Sequence, residues 1–136
     1  MANEAVIIEL LGNQGDPIRY TVADATGIAK GAIMELTDPR TMIASSGAGS
    51  VIAGIAAAEK VASDGSTTLA VYTNGIFDLK IKSGGSATLG SYVRSAAATD
   101  NTVTACTTLD NETGKAIGKA LETGSADEVV AVRVLL

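Results

Sequence analysis

Histidine and tryptophan are missing from this sequence, and cysteine and phenylalanine occur once each in 136 residues. Each scarcity closes a class of chemistry. Without histidine there is no Ser-His or Cys-His pair to activate a nucleophile, and the commonest transition-metal ligand is lost. A lone thiol, Cys106, makes neither an internal disulfide nor a zinc cluster. It sits in the run TVTACTT, where a small strand-buried thiol is expected and no imidazole can activate it. Basic residues number 10 against 15 acidic ones, giving a formal charge of −5, and they are scattered singly. Nucleic-acid binding needs a positive footprint and stacking aromatics, and both are lacking. The N-terminal MANEAVIIELLG has an acidic residue and no basic segment ahead of its apolar run, unlike a secretory signal. The longest apolar run, Val51 to Ala58, is far shorter than a membrane span. The expectation is a protein made in the cytoplasm, with no membrane, nucleic-acid, metal or cofactor partner and no catalytic residues.

Apolar residues make up 46% of the chain, too many for disorder, but 23 of them are alanine. The larger aliphatics each contribute roughly 1.5–3 kcal/mol when buried, against an ordering cost of about 1–2 kcal/mol per backbone residue. The core is therefore thin for the length, and burial against further copies would help.

The clearest pattern is Thr67 to Lys82, TTLAVYTNGIFDLKIK. Alternate residues Leu69, Val71, Phe77, Leu79 and Ile81 form one apolar face, with Gly75 in phase between them, while the other set is mostly polar. Asn74-Gly75 suggests a two-residue hairpin turn, but that register would set Val71 across from Asp78 and Leu69 across from Lys80. Two readings keep the phase. One is a three-residue loop with Gly75 as a bulge; the other is a single strand bending at Gly75, where a missing side chain lets another backbone approach.

Further strands are expected at Glu4–Leu11, Asp16–Val22, Ala32–Leu36, Thr41–Ala44, Ala87–Ser95, Thr102–Thr108 and Asp127–Leu136. Val51–Lys60 reads as a strand to about Ala57 with room for one helical turn. Lys115–Thr123, with Ile117 and Leu121 four apart, could be an amphipathic helical turn weakened by Gly118. The sum is an all-β chain of about nine to eleven short strands with little or no helix, a small β-barrel or β-sandwich. Residues 1–15 form an N-terminal arm or edge strand and residues 16–136 a single domain, with no internal repeat evident. No catalytic or nucleotide-binding motif is complete. Gly114 to Ala120 is one residue short of a phosphate loop and has alanine where the magnesium-binding hydroxyl belongs. Gly47 to Ile52 lacks the third glycine of a dinucleotide fingerprint. The pairs Asp110/Glu112 and Asp127/Glu128 read as solvated turn residues.

The order of blocks carries more. GD…Y at Gly15–Tyr20, IAKGAI at Ile28–Ile33, VIAGIA at Val51–Ala56, VYTNGIFDL at Val71–Leu79, TLGSYV at Thr88–Val93, IGKALE at Ile117–Glu122 and VAVRV at Val130–Val134 follow one another. That series resembles the small capsid decoration (cement) proteins of tailed bacteriophages, over about residues 15–136. The resemblance implies a non-enzymatic, trimeric β-barrel or β-sandwich subunit in the virion. It would bind the capsid exterior at three-fold and quasi-three-fold sites and bridge major capsid protein subunits. The N-terminal residues Ala5, Val6, Ile7, Ile8, Leu10 and Leu11 are then expected at a capsid or subunit interface, as an extended arm adding a strand to a free edge. The alternative from the residues alone is a small-ligand or carbohydrate-binding β-module, for which three tyrosines and one phenylalanine supply few contact groups.

Overall fold

A computed structural model of the chain describes residues 2–12, 16–97, 100–107 and 113–136. Among them are eleven strands and no helix. The strands are β1 (Val6–Leu10), β2 (Ile18–Thr21), β3 (Ile33–Asp38), β4 (Thr41–Ala44), β5 (Ile52–Ala56), β6 (Thr68–Tyr72), β7 (Asn74–Ile81), β8 (Tyr92–Ala97), β9 (Thr102–Ala105), β10 (Ala116–Ala120) and β11 (Val129–Leu135). They close into two five-stranded barrels. Barrel I runs β2-β4-β3-β5-β6, and barrel II runs β7-β11-β10-β8-β9 and closes through a β7–β9 pairing. β1 lies outside both and is added to β7.

The alternating run at 67–82 passes from one barrel into the other. β6 pairs with β2 and β5, whereas β7 pairs with β1, β9 and β11, so the two never face each other as a hairpin. The interruption falls at Thr73, whose carbonyl accepts the Leu136 N–H at 2.9 Å. Gly75 lies inside β7, two residues past the interruption, with φ 159°. Its role is close approach: a Cβ there would stand 2.7 Å from the Glu9 carbonyl oxygen of β1. The in-phase residues are all buried, but in two cores. Leu69 and Val71 join Val22, Met34 and Met42 in barrel I, while Phe77, Leu79 and Ile81 join Val93, Val103 and Val132 in barrel II.

β5 resolves the ambiguity of Val51–Lys60. All five of its residues are buried, because Ala53 and Ala56 face the barrel I core while Ile52 and Ile55 face the other cluster. A strand covered on both faces loses its alternation and reads as a continuous apolar run. The helical turn expected at Lys115–Thr123 is a strand instead. Its Gly118 is pressed so close to the Arg133 backbone of β11 that a Cβ would collide with it. The strand expected at Ala87–Ser95 begins only at Tyr92. Before it, Ala87 makes one isolated bridge to Gly124, and Leu89 is solvent-exposed.

The two barrels are copies of one plan, although no internal repeat was expected. Ile18 opposite Val71 in barrel I corresponds to Phe77 opposite Val132 in barrel II, and Thr21 opposite Thr68 to Lys80 opposite Val129. The parallel closure Thr21–Thr41 corresponds to Lys80–Thr102. Met34–Ala44 and Met34–Gly54 correspond to Val93–Ala105 and Val93–Gly118, with register shifts at matching places. The isolated bridge Ile28–Lys60 matches Ala87–Gly124. Left-handed residues recur too, Arg40 with Asn101 at φ 49° and 50°, and Ser63 with Asp127 at 58° and 67°. Agreement in register, bulge and backbone hand across five strands identifies a tandem duplication.

Candidate functional site

The N-terminal strand is the element that stands apart from this repeated plan. β1 runs antiparallel to β7, with Ile7 opposite Phe77 and Leu10 opposite Gly75, and a bulge at Ile8. It is anchored at its start by Ala5 N–H donating to the Gly31 carbonyl at 2.8 Å and by the Asn3 side chain donating to the Asp100 carbonyl. The residues expected at an interface divide accordingly. Ala5 is buried, Ile7 and Leu10 pack on the barrel II core, and Leu11 is half-buried. Val6 and Ile8 point outward, 57% and 54% exposed. Among the described residues the far edge of β1 carries no strand, since β1 ends its sheet. An edge with unpaired backbone donors and acceptors is a template for another strand.

The seam between the barrels is polar as well as apolar. Asn101, in the left-handed conformation and 3% exposed, accepts the Ile33 N–H at 2.7 Å through Oδ1. Its Nδ2 donates to the carbonyls of Asn3 at 2.9 Å and Gly31 at 3.0 Å. One side chain thereby joins barrel II, barrel I and the N-terminal segment. Beside it, Ser45 and Ser95 share a hydroxyl hydrogen bond of 2.5 Å across the seam, and Ser45 also meets Ser50 at 2.8 Å. Ser50 donates to the buried Glu35 carboxylate, as do the Ser46 N–H and hydroxyl. Burial works to raise the Glu35 pKa, but the donors from Ser50 and Ser46 outweigh it and hold the carboxyl below its ordinary value. Sequence reading missed this cluster, because Glu35, Ser45, Ser46 and Ser50 form no motif and Ser95 is 50 residues beyond Ser45.

In barrel I the Lys60 ammonium is buried. It donates to the carbonyls of Asp24, Thr26 and Val61 and lies 3.3 Å from the Asp64 carboxylate. The Ser66 N–H chiefly, then Lys60, hold the Asp64 carboxyl below its ordinary value. A buried charge so fully paired leaves no free group for chemistry. Among the described residues no three acidic, histidine or cysteine side chains converge as metal ligands. Of the sequence's carboxylate pairs, Asp110/Glu112 lies outside the described residues. In the other, Glu128 accepts the Ser125 N–H and Asp127 sits 3.9 Å from Lys80. Cys106 is half-buried just after β9. A shallow groove of about 460 Å³ opens along the seam, lined by Val51, Tyr92, Ala116, Leu135 and Leu136.

The chain is thus a pair of closed all-β barrels with an extra edge strand and a partly polar seam between them. The sequence model of the family described as phage cement protein matches residues 12–136, nearly the whole chain. The chain belongs to that family: it is a capsid decoration protein, structural in class, that binds the phage capsid and takes its place in the virion. No curated protein matches it.

Proposed function

We propose that the protein decorates the outside of the capsid as a trimer at three-fold and quasi-three-fold sites. There it bridges major capsid protein subunits against internal DNA pressure and catalyses nothing. It is made in the host cytoplasm and joins the capsid from there. Residues 1–15 act as the docking arm of a body formed by residues 16–136. The observation that carries the reading is β1, which belongs to neither barrel and presents a free edge with outward-facing Val6 and Ile8. A capsid strand adding to that edge would gain backbone hydrogen bonds along β1 and bury both aliphatics. The thin alanine-rich core and the acidic surface suit a subunit that gains burial from assembly.

The experiment is co-sedimentation with undecorated capsids. Deleting residues 1–12 should leave a folded trimer that no longer pellets with capsids. Because that deletion also uncovers β7, the double substitution Val6→Asp with Ile8→Asp is the companion, altering only the outer surface. It should keep the wild-type mass and melting temperature and lose capsid binding by at least about 10-fold, the scale of removing a buried apolar contact at an interface. Undiminished pelleting by both variants would sink the arm.

A further inference from the structure

The duplication shows what covers a barrel end, and one end in this chain is uncovered. In barrel II the end formed by the start of β7 and the later part of β8 is closed by the outer face of barrel I. The cross-strand row Ile33–Ile55–Tyr72 lies over it. The Tyr72 and Phe77 rings stand 6.0 Å apart, Ser45 bonds Ser95, and Asn101 bonds Ile33. Phe77 is consequently fully buried. Among the described residues, nothing lies over the same end of barrel I. Ile18, the counterpart of Phe77, is 40% exposed, and Leu36, the counterpart of Ser95, is 37% exposed. Arg40, the counterpart of Asn101, reaches only its own barrel, donating to the Arg19 carbonyl and lying 5.9 Å from the Tyr20 ring.

The missing lid has a counterpart on the same chain. The barrel II row equivalent to Ile33–Ile55–Tyr72 is Tyr92–Lys119–Arg133, paired in the same register. Tyr92 is 43% exposed, with the Lys119 ammonium 5.5 Å from its ring centre, and Arg133 is half-buried, its guanidinium donating to the Asn74 Oδ1 and the Val134 carbonyl. The uncovered end of barrel I is bordered in sequence by the exposed Asp16 and Asp38 and carries the exposed Arg19 and Arg40 as well, so charge is balanced there and the match rests on the repeated geometry.

We propose that the open end of barrel I, centred on Ile18 and Leu36, docks the Tyr92–Lys119–Arg133 face of barrel II of a second copy. The intramolecular contact between barrels is thereby repeated between molecules. It is head-to-tail, so it yields a finite particle only by closing into a ring; three copies make a ring of six barrels. The inference rests on the self-associating reading above and names its surface.

The test uses the full chain. Light scattering gives the mass of wild type, Ile18→Asp and Leu36→Glu, each checked by thermal melt. Both sites are exposed, so folding should survive. Each variant should raise the dissociation concentration at least about 100-fold, the scale for placing a charge at the centre of an apolar contact. Separately, Leu36→Cys and Lys119→Cys, each made in a Cys106→Ser background, are mixed and oxidised. A disulfide that forms in the mixture and in neither protein alone supports the proposal. An oligomeric wild type that neither charged variant dissociates, with no mixed disulfide, overturns this surface and leaves self-association standing. A disulfide joining two copies of the Leu36→Cys variant overturns it in favour of a two-fold contact. A wild type monomeric at all concentrations overturns both readings. If that monomer loses capsid binding on Ile18→Asp, the end is a seat for a capsid segment instead.

Discussion

Asn101 can be taken apart one interaction at a time. Its side chain fills three hydrogen-bonding needs in a site 3% exposed, and its backbone sits at φ 50°. Asn101→Gly keeps the backbone geometry and removes the side chain. The Ile33 N–H then loses its acceptor inside the seam, a cost of about 1–3 kcal/mol. The Gly31 carbonyl keeps its bond from Ala5 N–H, so its loss is smaller, about 0.5–1.5 kcal/mol. The Asn3 carbonyl lies nearer the surface, where water replaces the amide. The glycine variant should therefore lose about 2–4 kcal/mol. Asn101→Ala adds the left-handed penalty of a residue with a Cβ, a further ~1 kcal/mol or more. Equilibrium denaturant unfolding of both variants beside wild type separates the two contributions. Because the side chain ties barrel I to barrel II, either loss should also broaden the transition, as the barrels begin to unfold separately. A glycine variant within about 0.5 kcal/mol of wild type would refute the hydrogen-bond reasoning. An alanine variant no worse than glycine would refute the backbone part.

Two further perturbations test the barrels themselves. Gly118→Ala drives a Cβ into the Arg133 backbone between two paired strands, so it should destabilise by about 2 kcal/mol or more, whereas Gly49→Ala, with open space around it, should change the melting temperature little. Glu35→Gln tests the seam carboxylate: the folded-state pKa is lowered, so its stabilisation is fully present above the unfolded value near 4.5 and is lost as pH falls through the folded value. Wild-type stability should therefore drop below about pH 4.5 more steeply than that of Glu35→Gln, and parallel acid profiles from urea unfolding would refute the assignment.

The all-β class and most strands were legible because a half-buried strand writes its burial into every second residue, as at 69–81. The alternation names a face and not the sheet it belongs to. Leu69 and Val71 keep phase with Phe77, Leu79 and Ile81 across Thr73, yet the two groups enter different cores. β5 hid for the opposite reason, since cover on both faces erased its period. The β1 residues read correctly as extended, but whether their partner is β7 or another chain depends on contacts that no local pattern encodes. The Glu35 cluster was invisible because serine is common in loops and only folding brings Ser46 and Ser50 to the carboxylate and links Ser50 through Ser45 to Ser95. Pro39 directly follows the last residue of β3, where a residue without an N–H cannot extend the ladder.

The duplication escaped the sequence because its constraints are of two kinds, and only one preserves residue type. Constraints internal to each barrel persist. Gly54 and Gly118 are both retained, since in each barrel the neighbouring strand's backbone, at Tyr72 or Arg133, leaves no space for a Cβ. Ala56 and Ala120 remain small inside the two cores, and Val71 and Val132 face them in register. Constraints set by what lies over the barrel do not persist. Ile33 and Ile55 are buried and Tyr72 half-buried because barrel II covers them, while of the equivalent residues Tyr92 and Lys119 are exposed and Arg133 is half-buried in the single chain. Pairing geometry tolerates both rows, because cross-strand neighbours contribute only about 0.2–1 kcal/mol per pair, whereas burying an unpaired ammonium costs several. Cover therefore decides the residue. By the same logic Ile18 is the anomaly: like its buried counterpart Phe77 it is a large apolar residue, yet it is 40% exposed, and Leu36, 37% exposed, stands where the covered barrel has Ser95.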